Sequence, residues 1–126
     1  MTETAPGLEG IQVLVVEDEA VLCMILQDFL EELGCGIVGP ASTVADALAL
    51  AKDASIDVGL IDVNLRRQES FPVADVLAAR GIPFIFMSGD DDLVRREDYS
   101  ARPVLQKPFA MREVPALIQS VLNAAR

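Results

Sequence analysis

The sequence predicts an α/β fold, a parallel sheet covered by helices on both faces. Two observations carry the prediction. Short β-branched runs alternate with longer runs of helical period, and no hairpin signal separates a run from the next. The runs "VLVV" and "FIF" are apolar without alternation, as strands buried on both faces are. Right-handed crossovers then set the winding of such a sheet.

Taken in order, "MTETAPGLEG" is polar and acidic and predicts a disordered tail over residues 1–10, with one domain over 11–126. "IQVLVV" predicts the first strand. In "EAVLCMILQDFLEELG", Leu22, Ile25, Leu26, Phe29 and Leu33 recur at helical spacing and Gly34 marks a stop. "CGIVGP" predicts a brief strand. "STVADALALAKDA" predicts a helix with Ser42 as N-cap and Val44, Ala47, Leu48 and Ala51 on one face. "DVGLID" is the third strand, "FPVADVLAARG" a helix closed by Gly81, and "IPFIFM" the fourth strand, with its proline at the start. "DDLVRREDYSAR" has room only for a short helix and a loop. "PVLQ" predicts the fifth strand. The last helix should begin near Glu113 or Val114, because Pro115 is tolerated only in a first turn.

Composition narrows the function. A chain of 126 residues suits one domain, and its 52% hydrophobic content fills a core. The apolar runs fall well short of the ~18 residues that cross a bilayer. With a net charge of -10 the surface repels phosphate backbones and anionic lipid, so neither nucleic acid nor membrane is expected as a partner. Cys23 and Cys35 lack zinc spacing, and the chain has no histidine. A cytoplasmic protein is expected.

In an open parallel sheet, ligands bind beyond the carboxyl ends of the strands. Strand one leaves Glu17, Asp18 and Glu19 there, strand three Asp62, strand four Ser88 and strand five Lys107. Taken singly, each has a plain explanation as a solvated residue, helix cap or surface charge. Together they suit a cation, since crowded carboxylates remain ionised only around one. Oxygen donors without histidine favour a hard ion, magnesium first and manganese or calcium after it. Lys107 adds a fixed charge and Ser88 a rotatable donor, so a phosphoryl group finds a partner for each oxygen. Asp62 then faces phosphorus as a nucleophile, and an ionised carboxylate needs no general base.

"VVEDE", "LIDVN", "FMSG" and "QKPF", in this order at the strand ends, resemble the receiver domain of bacterial two-component response regulators over nearly the whole chain. The resemblance implies a flavodoxin-like, doubly wound five-stranded parallel sheet of order 2-1-3-4-5. It also implies Asp62 as phosphoacceptor, with Ser88 and Lys107 completing the catalytic set. Glu17, Asp18, Asp62 and the Asn64 carbonyl are implied as the Mg2+ site, and a cis Lys107–Pro108 bond as the turn after the lysine. The expected function is a single-domain regulator, not an enzyme, phosphorylated by a sensor histidine kinase or histidine phosphotransfer protein. It would signal to a further protein by contact or phosphorelay. A phosphorylation-independent interaction module that keeps the pocket is the alternative.

The sequence departs from the family pattern in places. Val104 stands where the family carries its switch aromatic, leaving Tyr99 as a candidate substitute, and the fourth helix should be shortened. "LRRQESF" replaces a segment that normally carries a proline. "PFIFMSGD" resembles a subgroup of standalone receivers with "PFxFATGY", whose partners tend to be HWE-type kinases. Asp90 is read within a solvated acidic run, or alternatively beside Asn64 in setting dephosphorylation. Arg66 and Arg67 are read as solvated or as offsetting the acid pocket, and Val21 and Met24 as core flank or as an exposed patch.

Overall fold

The structure is a computed structural model that describes residues 7–89 and 102–125. Strand β1 (Gln12–Val16) sends Leu14 and Val16 to one face and Val13 and Val15 to the other, all four fully buried. Parallel register then adds β2 (Gly36–Ala41) on one side and β3 (Val58–Asp62) on the other. Beyond these come β6 (Phe84–Ser88), which follows the short β4 (Asn64–Leu65) and β5 (Gln68–Glu69), and then β7 (Val104–Gln106). The main sheet has five strands in the order β2-β1-β3-β6-β7, which is the expected 2-1-3-4-5 once the two short strands are set aside.

The helices are α1 (Ala20–Glu32), α2 (Val44–Asp53), α3 (Phe71–Ala79) and α4 (Glu113–Ala124). Ala47 and Ala51 of α2 join Val73, Ala74 and Leu77 of α3 over Leu14, Val16 and Ile61. Cys23, Leu26 and Leu30 of α1 join Val114, Ile118 and Val121 of α4 over the opposite face. The sheet is therefore doubly wound, with one apolar layer between it and each helix pair. Helix α4 starts at Glu113, which leaves Pro115 in its first turn.

Several expectations are corrected. The buried stripe of α1 is Cys23, Leu26, Leu30 and the following Leu33, whereas Ile25 is 46% exposed. The stripe is rotated toward Cys23, a small apolar residue that lets the helix approach the sheet. The N-cap of α2 is Thr43, not Ser42: the Asp46 N–H donates to Thr43 Oγ1 at 3.1 Å. Leu8 is fully buried and the Gly10 N–H donates to the Gly34 carbonyl at 2.9 Å, so the expected tail does not extend to residue 10. Strands β4 and β5 form an antiparallel hairpin that carries no Gly, Asn or Asp in its turn and hence gave no signal. The shortened fourth helix, Asp90 and Tyr99 lie outside the described residues.

Candidate functional site

Parallel register brings the strand ends to one rim. Val16 lies opposite Ile61, Asp62 opposite Met87 and Ser88 opposite Gln106, so Glu17, Asp62, Ser88 and Lys107 all emerge there. Two backbone bonds extend the ladders past the strands: Glu17 N–H donates to Ala41 O at 3.0 Å and Lys107 N–H to Ser88 O at 2.8 Å. Glu17, Asp62 and Ser88 are buried, Asp18 is half-buried and Asn64 is exposed.

Lys107 is the centre of the charge network. Its Nζ lies 2.9 Å from Glu17 Oε1, 3.0 Å from Asp62 Oδ2 and 3.3 Å from Glu19 Oε1. Two of the carboxylates are also fixed by main-chain groups two residues on. Glu19 N–H donates to Glu17 Oε2 at 3.0 Å, and Asn64 N–H to Asp62 Oδ1 at 3.1 Å. Asp18 Oδ2 accepts instead from the distant Arg66 N–H at 3.0 Å. Behind the site, the Ser70 hydroxyl donates to the Asp62 carbonyl, which ties the start of α3 to the end of β3.

Burial pushes the Glu17 carboxyl up to about 7, helped by the Asp62 charge and opposed by Lys107 and the Glu19 N–H. For Lys107, burial alone pulls the amine down, but Glu17 and Asp62 outweigh it and hold the amine above the ordinary lysine range. Glu17 Oε1 thus has a nearby cation. It still receives no well-directed hydrogen bond, and a buried oxygen in that position calls for a further partner.

A hard cation fits these residues. Glu17, Asp18 and Asp62 each offer an oxygen within 4.8 Å of the others. The donor set is all oxygen, the under-satisfied Glu17 Oε1 belongs to it, and the cluster holds more acids than Lys107 balances. The Lys107–Pro108 bond is cis, as is Gly39–Pro40, for which the sequence carried no expectation.

Of the residues singled out from sequence, Glu17, Asp18, Asp62 and Lys107 come together directly, with Ser88 and Asn64 on the same rim. Three further residues complete the site. Glu19, expected on the rim, pairs with Lys107, and Arg66, read as solvated or as offsetting the acid pocket, reaches Asp18 through its backbone N–H. Ser70, whose hydroxyl anchors the Asp62 carbonyl, carries no signal in the sequence. Beside Lys107 an open cleft of about 390 Å³ runs between α1 and the turn after β7, lined by Val21, Leu22, Ile25, Pro108 and Phe109. Val21 and Met24 are 68% and 62% exposed, which settles their placement outside the core.

Comparison with known proteins adds to the geometry. Residues 13–119 match the family model described as the response regulator receiver domain. The transcriptional regulatory protein PdtaR of Mycobacterium tuberculosis is 34% identical over 91% of this chain and 58% of its own length. The chain spans about half the length of the curated relatives it matches. The solution structure of SdrG from Sphingomonas melonis Fr1 is 46% identical, with a TM-score of 0.74 over 92% of this chain and 96% of that one. A BeF3-activated conformation of SdrG, from Pseudomonas melonis Fr1, is 48% identical with a TM-score of 0.73, covering 88% and 95% of the two chains. Among the described residues, no helix is long and apolar enough to cross a membrane.

Proposed function

This chain belongs to the response regulator receiver domain family of two-component signalling, and on that premise we propose that it accepts a phosphoryl group on Asp62. The observation that carries the reading is the Asp62 carboxylate, buried at the end of β3 with Lys107 Nζ at 3.0 Å and two further acids beside it. An Asp62 oxygen forms a bond to phosphorus as the phosphorus–nitrogen bond of a donor phosphohistidine breaks. Lys107 offsets charge on the transferring group, and Ser88 offers a hydroxyl to a second phosphoryl oxygen. Water then hydrolyses the acyl phosphate in the same pocket.

Glu17, Asp18 and Asp62, with the Asn64 carbonyl, are the residues that would hold Mg2+. When bound, the ion neutralises charge on the phosphoryl oxygens and orients them for in-line transfer. The donor is a histidine kinase or phosphotransfer protein. The resemblance of "PFIFMSGD" to the standalone subgroup supports a kinase of the HWE or a related type. That SdrG has a BeF3-activated conformation supports a similar activation of this chain. The receiver unit would run from about Leu8, where packing begins, and pass its signal by protein contact or phosphorelay.

Incubation with Mg2+ and a small acyl phosphate tests the reading. The expected result is a mass increase of one phosphoryl group, absent in Asp62→Asn. No increase with small donors or with candidate kinases would leave an interaction module that works without phosphorylation.

A further inference from the structure

The turn that closes the β4–β5 hairpin consists of two arginines in a conformation that arginine disfavours. Arg66 has a φ of 46° and Arg67 of 69°. Both central residues of a two-residue loop are therefore left-handed, an arrangement that Asn-Gly ordinarily supplies. The surroundings hold it in place. Leu65 is fully buried, Asn64 lies opposite Glu69 and Leu65 opposite Gln68, and the Ser70 N–H donates to Val63 O at 2.8 Å.

The tip of this hairpin meets the acid cluster. Glu17 and Asp62 each accept a backbone N–H from their own segment, two residues on. Asp18 accepts its backbone N–H from Arg66, 48 residues away. The Arg66 guanidinium points elsewhere, toward Ser42 Oγ at 3.5 Å before α2. Position 66 thus needs a left-handed backbone and an N–H rather than an arginine head group.

We propose that Arg66 is a positioning residue: its left-handed backbone aims the N–H at Asp18 Oδ2, fixing that carboxylate and leaving its second oxygen to serve a divalent cation. The strength of cation binding then depends on the geometry of the hairpin tip. The inference rests on the reading that Glu17, Asp18 and Asp62 hold the ion. A backbone partner that orients a metal-binding carboxylate typically sets ten- to a hundredfold of affinity.

The test is a calorimetric titration of the full chain with MgCl2. Arg66→Gly keeps the N–H and suits a positive φ, so it should bind Mg2+ at least as tightly as the wild type. Arg66→Pro lacks the N–H and cannot adopt that φ, so it should bind about tenfold more weakly or worse. A second measurement needs neither metal nor the proline variant. The Arg66 amide should be protected from hydrogen exchange in the wild type and lose that protection in Asp18→Ala, while the amides of β3 keep theirs. Equal Mg2+ affinity in Arg66→Pro and Arg66→Gly overturns the inference alone, as does an Arg66 amide that ignores Asp18→Ala. If the wild type takes up no Mg2+ at all, the cation reading is overturned and the inference with it.

Discussion

Glu17 illustrates how one residue ties stability to the site. Its carboxyl titrates near the ordinary 4.5 in an unfolded chain but is pushed up to about 7 when folded, chiefly by burial. Below pH 4.5 both states hold the proton. Between 4.5 and about 7 only the folded state keeps it, so raising the pH favours unfolding across that window. The full effect is of order 3 kcal/mol. Thermal melts without divalent cation should therefore show a midpoint that falls from pH 5 to pH 7 and then levels off. Glu17→Gln should abolish the slope. Saturating Mg2+ should flatten it in the wild type, because a bound cation takes the place of the proton. A slope in the wild type that Glu17→Gln leaves intact would assign it to another group.

The elements show where sequence reasoning succeeds and where it slips. Helix α2 lies where the periodicity predicts it, but its cap is Thr43, one residue after the expected Ser42. Either hydroxyl has the right chemistry, and only the backbone geometry before α2 decides that Thr43 Oγ1 meets the Asp46 N–H. Thr43→Ala should cost about 1 kcal/mol in urea unfolding, and Ser42→Ala less than about 0.5 kcal/mol. In α1 an apolar periodicity wider than the buried face left the phase of the stripe ambiguous. Leu26, fully buried, should lose about 2–5 kcal/mol on truncation to alanine, whereas the exposed Met24 should tolerate glutamate within about 0.5 kcal/mol. The hairpin β4–β5 leaves no trace in the sequence, because Arg66 and Arg67 carry none of the turn chemistry that announces a left-handed loop.

Across the whole molecule, the sheet and its two helical layers fit closely enough to leave no room at Gly59. A Cβ there would lie 2.9 Å from Leu77 Cδ1 and 3.4 Å from Phe84 Cβ. Leu77 is fully buried, so any shift of its side chain must disturb the packing around it. Gly59→Ala should destabilise by about 1–2 kcal/mol in urea unfolding. An unchanged midpoint would show that α3 slides on the sheet. Cation binding should act on the same global equilibrium. At about a hundred times its dissociation constant, Mg2+ should add roughly 2.7 kcal/mol to stability, and a chelator should remove it.

The sequence by itself determined the strand–helix alternation, the parallel sheet and the rim on which acids, hydroxyl and lysine emerge. Those features follow from local periodicity and from what each strand leaves at its end, both of which are written in consecutive residues. Tertiary structure alone decided which face of α1 is buried, that Ser70 anchors Asp62, and that the Arg66 N–H serves Asp18. A backbone N–H is common to every residue but proline, so its partner is set by where the chain places it. In this fold a left-handed turn after β3 places it 48 residues from the carboxylate it orients.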